Sequence, residues 1–156
     1  MAMGLVLGTG LAGTAFAKTA RSSRAIAERF AATLSAHDID AFSALFSDGY
    51  INHQASAAAP PPANVTPKQA SVGFFRARLT GMPDLKVSIE ALVADGDRVA
   101  ASFVYTGTHG GVYFGVQPTG KSLRFTSCDI FRIRAGLIAE HWGMGDIAGV
   151  LAQLRA

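Results

Sequence analysis

Cysteine is almost absent from this sequence: Cys128 stands alone among 156 residues. One thiol cannot form an internal disulfide, nor a four-thiolate zinc or iron–sulfur site. Charge is scarce too, at 16% of residues against the ~25% usual in globular domains. The net charge is only +3 and no run of Lys or Arg forms a stripe, so a nucleic-acid partner is not expected. Long apolar runs are missing as well; the uncharged stretch at residues 1–17 is too short and too glycine-rich for a spanning helix. No glycine-rich phosphate loop lies between a strand and a helix, and no G-x-S-x-G elbow is present. The four histidines show no i,i+4 pair or other ligand spacing, so no metal and no organic cofactor is expected.

What remains is an apolar chain, 49% hydrophobic, long enough to bury a core around a pocket. Part of that apolarity sits in residues 1–17, where Gly4–Ala15 has the length of a signal-peptide core and Ala15-Phe16-Ala17 fits an A-x-A cleavage site. A positive segment ahead of it is missing. The expectation is an export signal followed by one domain over residues 18–156, placing the mature protein in the periplasm; a disordered tail on a cytoplasmic protein is the alternative.

From Ser22 onward the period is helical, with Ile26, Phe30 and Leu34 on one side. Asp40 can cap a second short helix through Phe42, Leu45 and Phe46, and Tyr50-Ile51-Asn52-His53 reads as a brief strand. The segment from Ala55 to Val65 holds three consecutive prolines and reads as a surface flap. Thr66-Pro67 opens a third helix carrying Val72, Phe75, Leu79 and Met82. After Pro83 the period becomes two, giving strands through Leu85–Ala91, Val99–Thr106, Leu123–Ile133 and Leu137–Met144, with Asp95-Gly96 and Gly136 at turns. Asp146 caps a terminal helix. Helices first and long antiparallel strands afterwards make an α+β fold.

The last hairpin carries the sharpest chemical feature. A three-residue loop closed by Gly136 places Ile133 opposite Leu137, Phe131 opposite Ala139, Asp129 opposite His141 and Ser127 opposite Gly143, all on one face. A carboxylate beside an imidazole can fix its tautomer and make a general base, although a merely structural His–Asp contact fits the pattern equally. The opposite face, with Cys128, Ile130, Arg132, Ile138, Glu140, Trp142 and Met144, suits a homodimer interface or packing within the subunit.

The stretch Gly107-Thr-His109-Gly-Gly111-Val-Tyr-Phe-Gly115-Val-Gln-Pro118-Thr119-Gly120-Lys121, with Phe131-Arg132-Ile133, Gly136, Ile138-Ala-Glu140-His141-Trp142 and Asp146, resembles the SnoaL-like polyketide cyclases, also called predicted ester cyclases. Tyr50-Ile51-Asn52-His53 and the Phe42–Phe46 helix look like that family's N-terminal signature, so the resemblance spans residues 24–154. It implies a nuclear-transport-factor-2-like cone: a curved antiparallel sheet with N-terminal helices packed over an internal pocket. It also implies intramolecular aldol ring closure without a cofactor. Asn52, Ser127 and Asp129 correspond to pocket positions of the family, whereas the position of its catalytic aspartate is Gly143 here. The expected enzyme performs acid–base chemistry on an apolar, carbonyl-bearing small molecule. Asp129 and His141 would move the proton, and Tyr50, Asn52, His53, Phe75, His109, Ser127 and Phe131 would contact substrate. A non-catalytic binder of hydrophobic ligands, or an interaction module of the same fold, are the competing readings.

Overall fold

The computed structural model describes residues 10–156 apart from 56, 58 and 59. Helix α1 (Gly10–Ser35) begins well before Ser22, and its Ile26, Phe30 and Leu34 are buried as their four-residue spacing requires. The expected export signal falls largely on residues 1–9, outside the described residues; residues 10–17 form the first turns of α1. Among the described residues no helix is long and apolar enough to cross a membrane.

Helix α2 (Ile39–Ser43) is capped by Asp38, whose carboxylate accepts from Ala41 N at 2.9 Å, and not by Asp40. Phe46, expected on that helix, instead opens strand β1 (Phe46–Asn52). Helix α3 (Pro67–Gly81) starts as its sequence dictates: Thr66 and Gln69 form a reciprocal capping box and Pro67 follows the cap. Strands β2 (Lys86–Asp95), β3 (Arg98–Thr108), β4 (Ser122–Arg134) and β5 (Leu137–Gly145) follow, then helix α4 (Ile147–Arg155), capped by Asp146.

The five strands form one curved, unclosed sheet in the order β1-β5-β4-β3-β2. All pairs are antiparallel except β1 with β5, so the expected purely antiparallel sheet gains a parallel edge strand. That exception seats Asn52 against His141 in register. Helix α1 packs across the concave face. Phe30 lies there 5.0–5.3 Å, centroid to centroid, from the rings of Phe42, Phe75, Phe103 and Phe131. The odd-numbered residues of β4 from Leu123 to Ile133 are all buried on this face. At the other end, where β5 stops short, α4 covers the free edge of β4: the Gln153 amide accepts from Arg124 N and donates to Arg124 O, both at 2.9 Å.

The β4–β5 register differs from the sequence expectation. The connection is a two-residue turn on Ala135 and Gly136, with φ of 49° and 76°, so Arg134 pairs with Leu137 and Ile133 with Ile138. A β-bulge then leaves Ala139 unpaired and sets Arg132 opposite Glu140 and Phe131 opposite His141. The left-handed conformation is costly for alanine, yet this turn matches the strand twist, and the bulge brings both Ile138 and His141 inward. Ile138, expected on the outer face, is therefore in the core. Cys128, Ile130 and Met144 remain outside as expected.

Candidate active site

Asp129 faces Gly143, not His141, across the two strands. The imidazole reaches it diagonally: His141 Nε2 lies 2.7 Å from Asp129 Oδ1, with the two residues only 8% and 4% exposed. The diagonal contact needs the space beside Gly143. A Cβ there would overlap both His141 Nε2 and Asp129 Oδ1.

Around this pair the hydrogen bonds run in one direction. Ser71 Oγ, on α3, donates to the Tyr50 hydroxyl at 3.1 Å, and Tyr50, on β1, lies 3.0 Å from His141 Nδ1. Burial pushes the Tyr50 phenol up to about 12, with the charge of Asp129 adding to the effect, so the phenol keeps its proton and donates it to Nδ1. His141 is then the Nε2–H tautomer, donating to Asp129. From the other side Ser127 Oγ donates to Asp129 Oδ2 at 2.5 Å and lies 3.3 Å from the Tyr105 hydroxyl. A serine has one proton; once it is given to Asp129, Tyr105 is left as the donor. Burial and the Asp129 charge also raise the Tyr105 phenol, holding it protonated. Two relays, Ser71–Tyr50–His141 and Tyr105–Ser127, therefore converge on one carboxylate.

That carboxylate borders a cavity of about 630 Å³, walled also by Asn52, Phe74, Phe75, Ser127 and Gly143, with Pro61, Pro62 and Val65 of the proline-rich segment at its edge. The volume suits a small organic molecule. Asn52 Oδ1 accepts from Gln54 N, which leaves the amide NH₂ to donate toward a ligand. His53 borders the same opening, its ring stacked 4.3 Å from Trp142 and its Nε2 3.0 Å from Glu140.

Three expected contact residues lie elsewhere. Tyr50 sits behind His141, its hydroxyl on the imidazole Nδ1 and away from the cavity wall. Phe131 belongs to the core around Phe30, one layer beneath the site. His109 is fully buried in the glycine-rich connection, where Thr119 N donates to its Nδ1 at 3.2 Å and Thr119 Oγ1 lies 2.9 Å away, pinning the loop.

A family model for SnoaL-like polyketide cyclases matches residues 24–154. The chain belongs to this family. Solved structures agree with the fold. AclR from Streptomyces galilaeus, proposed to be a hydroxylase, superposes with a TM-score of 0.75 at 24% identity, covering 88% of this chain and 82% of its own. TsrD from Streptomyces laurentii gives 0.72 at 25% identity over 86% and 95% of the two chains. IdmH from Streptomyces antibioticus, proposed to be a polyketide cyclase, gives 0.72 at 26% identity over 86% and 99%. No curated protein matches the sequence.

Within this SnoaL-like cone one wall residue escaped the sequence pattern. Of the expected stripe Val72, Phe75, Leu79 and Met82, Phe75 and Met82 are buried and Val72 and Leu79 only partly so, while Ser71 and Arg78 share the inward face with Phe75. Arg78 is 3% exposed and its guanidinium carbon lies 4.4–5.0 Å from the ring centroids of Phe74, Phe75, Tyr105 and Phe125. The i, i+4, i+7 spacing of 71, 75 and 78 was the available signal; a polar residue at each end hid it. Among the described residues no cluster of His, Cys, Asp and Glu could hold a metal ion.

Proposed function

We propose that this SnoaL-like protein catalyses an intramolecular, cofactor-independent carbon–carbon ring closure or isomerisation of an apolar carbonyl compound, with Asp129 as the base. The observation that carries this reading is the convergence of both relays on Asp129. Both ring nitrogens of His141 are engaged by protein groups, so the imidazole positions the carboxylate and the substrate proton goes to Asp129. In the proposed step an Asp129 oxygen takes the proton from a carbon next to a carbonyl, and the C–H electron pair becomes an enolate. The Asn52 amide, donating into the cavity, stabilises the enolate oxygen. The enolate carbon then attacks a second carbonyl of the same molecule. A C–C bond forms, the second C=O opens to an alkoxide, and the alkoxide recovers the proton from Asp129. No atom is gained or lost.

The test is hydrogen exchange at an activated carbon. An aryl β-keto ester carrying deuterium between its carbonyls is incubated with the full chain in water, and deuterium loss is followed by NMR. Loss faster than buffer, falling by about 10²–10⁴ in Asp129→Asn with the fold intact by circular dichroism, supports the reading. Exchange at wild-type rate in Asp129→Asn overturns it. Exchange no faster than buffer, together with an unmodified apolar ligand retained in native mass spectra, would make the protein a ligand carrier instead.

A further inference from the structure

The cavity holds a cation that the proton chemistry does not use. Arg78 is buried, borders the same 630 Å³ space as Asp129, and among the described residues has no carboxylate within ion-pairing distance. Its Nε–H donates to the Tyr113 hydroxyl at 3.1 Å, one of five donors the guanidinium carries. Four aromatic rings supply cation–π attraction and the Tyr105 hydroxyl is a second hydrogen-bond acceptor for it, but none of these groups carries a negative charge. A buried, permanently charged group with no carboxylate in contact is disfavoured; Asp129 attracts Arg78 only through space, being itself hydrogen-bonded to His141 and Ser127 on the sheet.

We propose that Arg78 is the anchor for a carboxylate of the ligand, so that the cavity takes an apolar organic acid in preference to the corresponding neutral ester. This deepens the reading above by naming the group that orients the substrate. The planar guanidinium fork matches a carboxylate in two parallel hydrogen bonds, and the flat rings around it leave a slot for a planar anion. Among the described residues lining the cavity Arg78 is the sole Lys or Arg, which suits a single negative charge better than a phosphate dianion. From Arg78 the route to the base is one ring long. The guanidinium lies over Tyr105, and the Tyr105 hydroxyl leads through Ser127 to Asp129. A ligand carboxylate on Arg78 would thus hold the reacting carbon of the same molecule near Asp129 and limit the ways it can bind.

Calorimetric titration of the full chain at neutral pH with 2-naphthoate and methyl 2-naphthoate tests this directly. The acid is expected to bind at least about tenfold more tightly than the ester. In Arg78→Met, which keeps the aliphatic stem under the rings, that preference should vanish while ester binding persists; Arg78→Lys should retain part of it. Equal binding of acid and ester to the wild-type chain, absence of naphthoate binding, or an undiminished preference in Arg78→Met would each overturn the proposal. Should Arg78→Met not fold, the wild-type comparison decides alone. Asp129→Asn separates the two ideas: it should slow deuterium loss by the factor given above while the preference for acid over ester persists. Exchange that persists without any acid preference would sink the anchor and spare the base.

Discussion

At position 143 the absence of a side chain leaves the room in which His141 Nε2 meets Asp129 Oδ1. Gly143→Ala is expected to push the imidazole off the carboxylate. Because the loss concerns orientation and not the carboxylate itself, deuterium exchange should drop by about 10²-fold, less than in Asp129→Asn at its extreme. Thermal or urea unfolding should show a loss of about 1–3 kcal/mol from overpacking. Exchange at the wild-type rate would show that the His141 contact does not matter. Strand alternation already put Asp129, Ser127 and His141 on one face in the sequence. Their diagonal contact was not legible, since it depends on Ala135 adopting a positive φ and on the bulge at Ala139, two local choices that propensity disfavours and tertiary packing imposes.

The glycine-rich connection between β3 and β4 shows why an element without regular structure is needed at the end of α3. Gly111 passes so close to Thr80 O that any side chain there would collide with it, and Gly81 lies under the Tyr113 ring, where a Cβ would come within 2.6 Å of Tyr113 Cβ. This close approach delivers the Tyr113 hydroxyl to Arg78 Nε. Tyr113→Phe therefore strips a buried cation of one protein acceptor, and a loss of about 1–3 kcal/mol in urea unfolding is expected. Gly81→Ala should cost a similar amount by displacing the ring. A midpoint unchanged in both variants would mean the loop does not hold Arg78. The Thr66 and Asp146 caps and the strand period were readable, being local signals, whereas the α2 cap and the β4–β5 turn were not. The pairing of loop with helix was not, because nothing near residue 113 in the chain announces that its hydroxyl meets residue 78.

At the scale of the whole molecule, Arg78 and Asp129 line the cavity, while charged groups on the outer side tie strands together. Glu140 on β5 accepts from Arg132 Nη1 on β4 at 2.7 Å and lies 3.0 Å from His53 Nε2 beyond the end of β1. The hydrogen bond from His53, then the Arg132 charge, hold its carboxyl below the ordinary glutamate range. Asp84 before β2 is lowered likewise, by the backbone and hydroxyl of Thr108, which it accepts at 2.6 and 2.8 Å. A carboxyl whose folded pKa is depressed binds fewer protons in the native state than in the unfolded one. Its stabilisation is complete above the unfolded value, about 3.9 for Asp and 4.3 for Glu, and disappears as pH falls through the lower folded value. The melting temperature should thus be flat near neutrality with respect to these two groups and fall below about pH 4. Glu140→Gln and Asp84→Asn should each flatten that acid limb, additively because they lie at different strand ends. Both groups are solvent-accessible, so raised salt should weaken the effect. An acid limb of the same slope in the double variant would show that neither Glu140 nor Asp84 sets it.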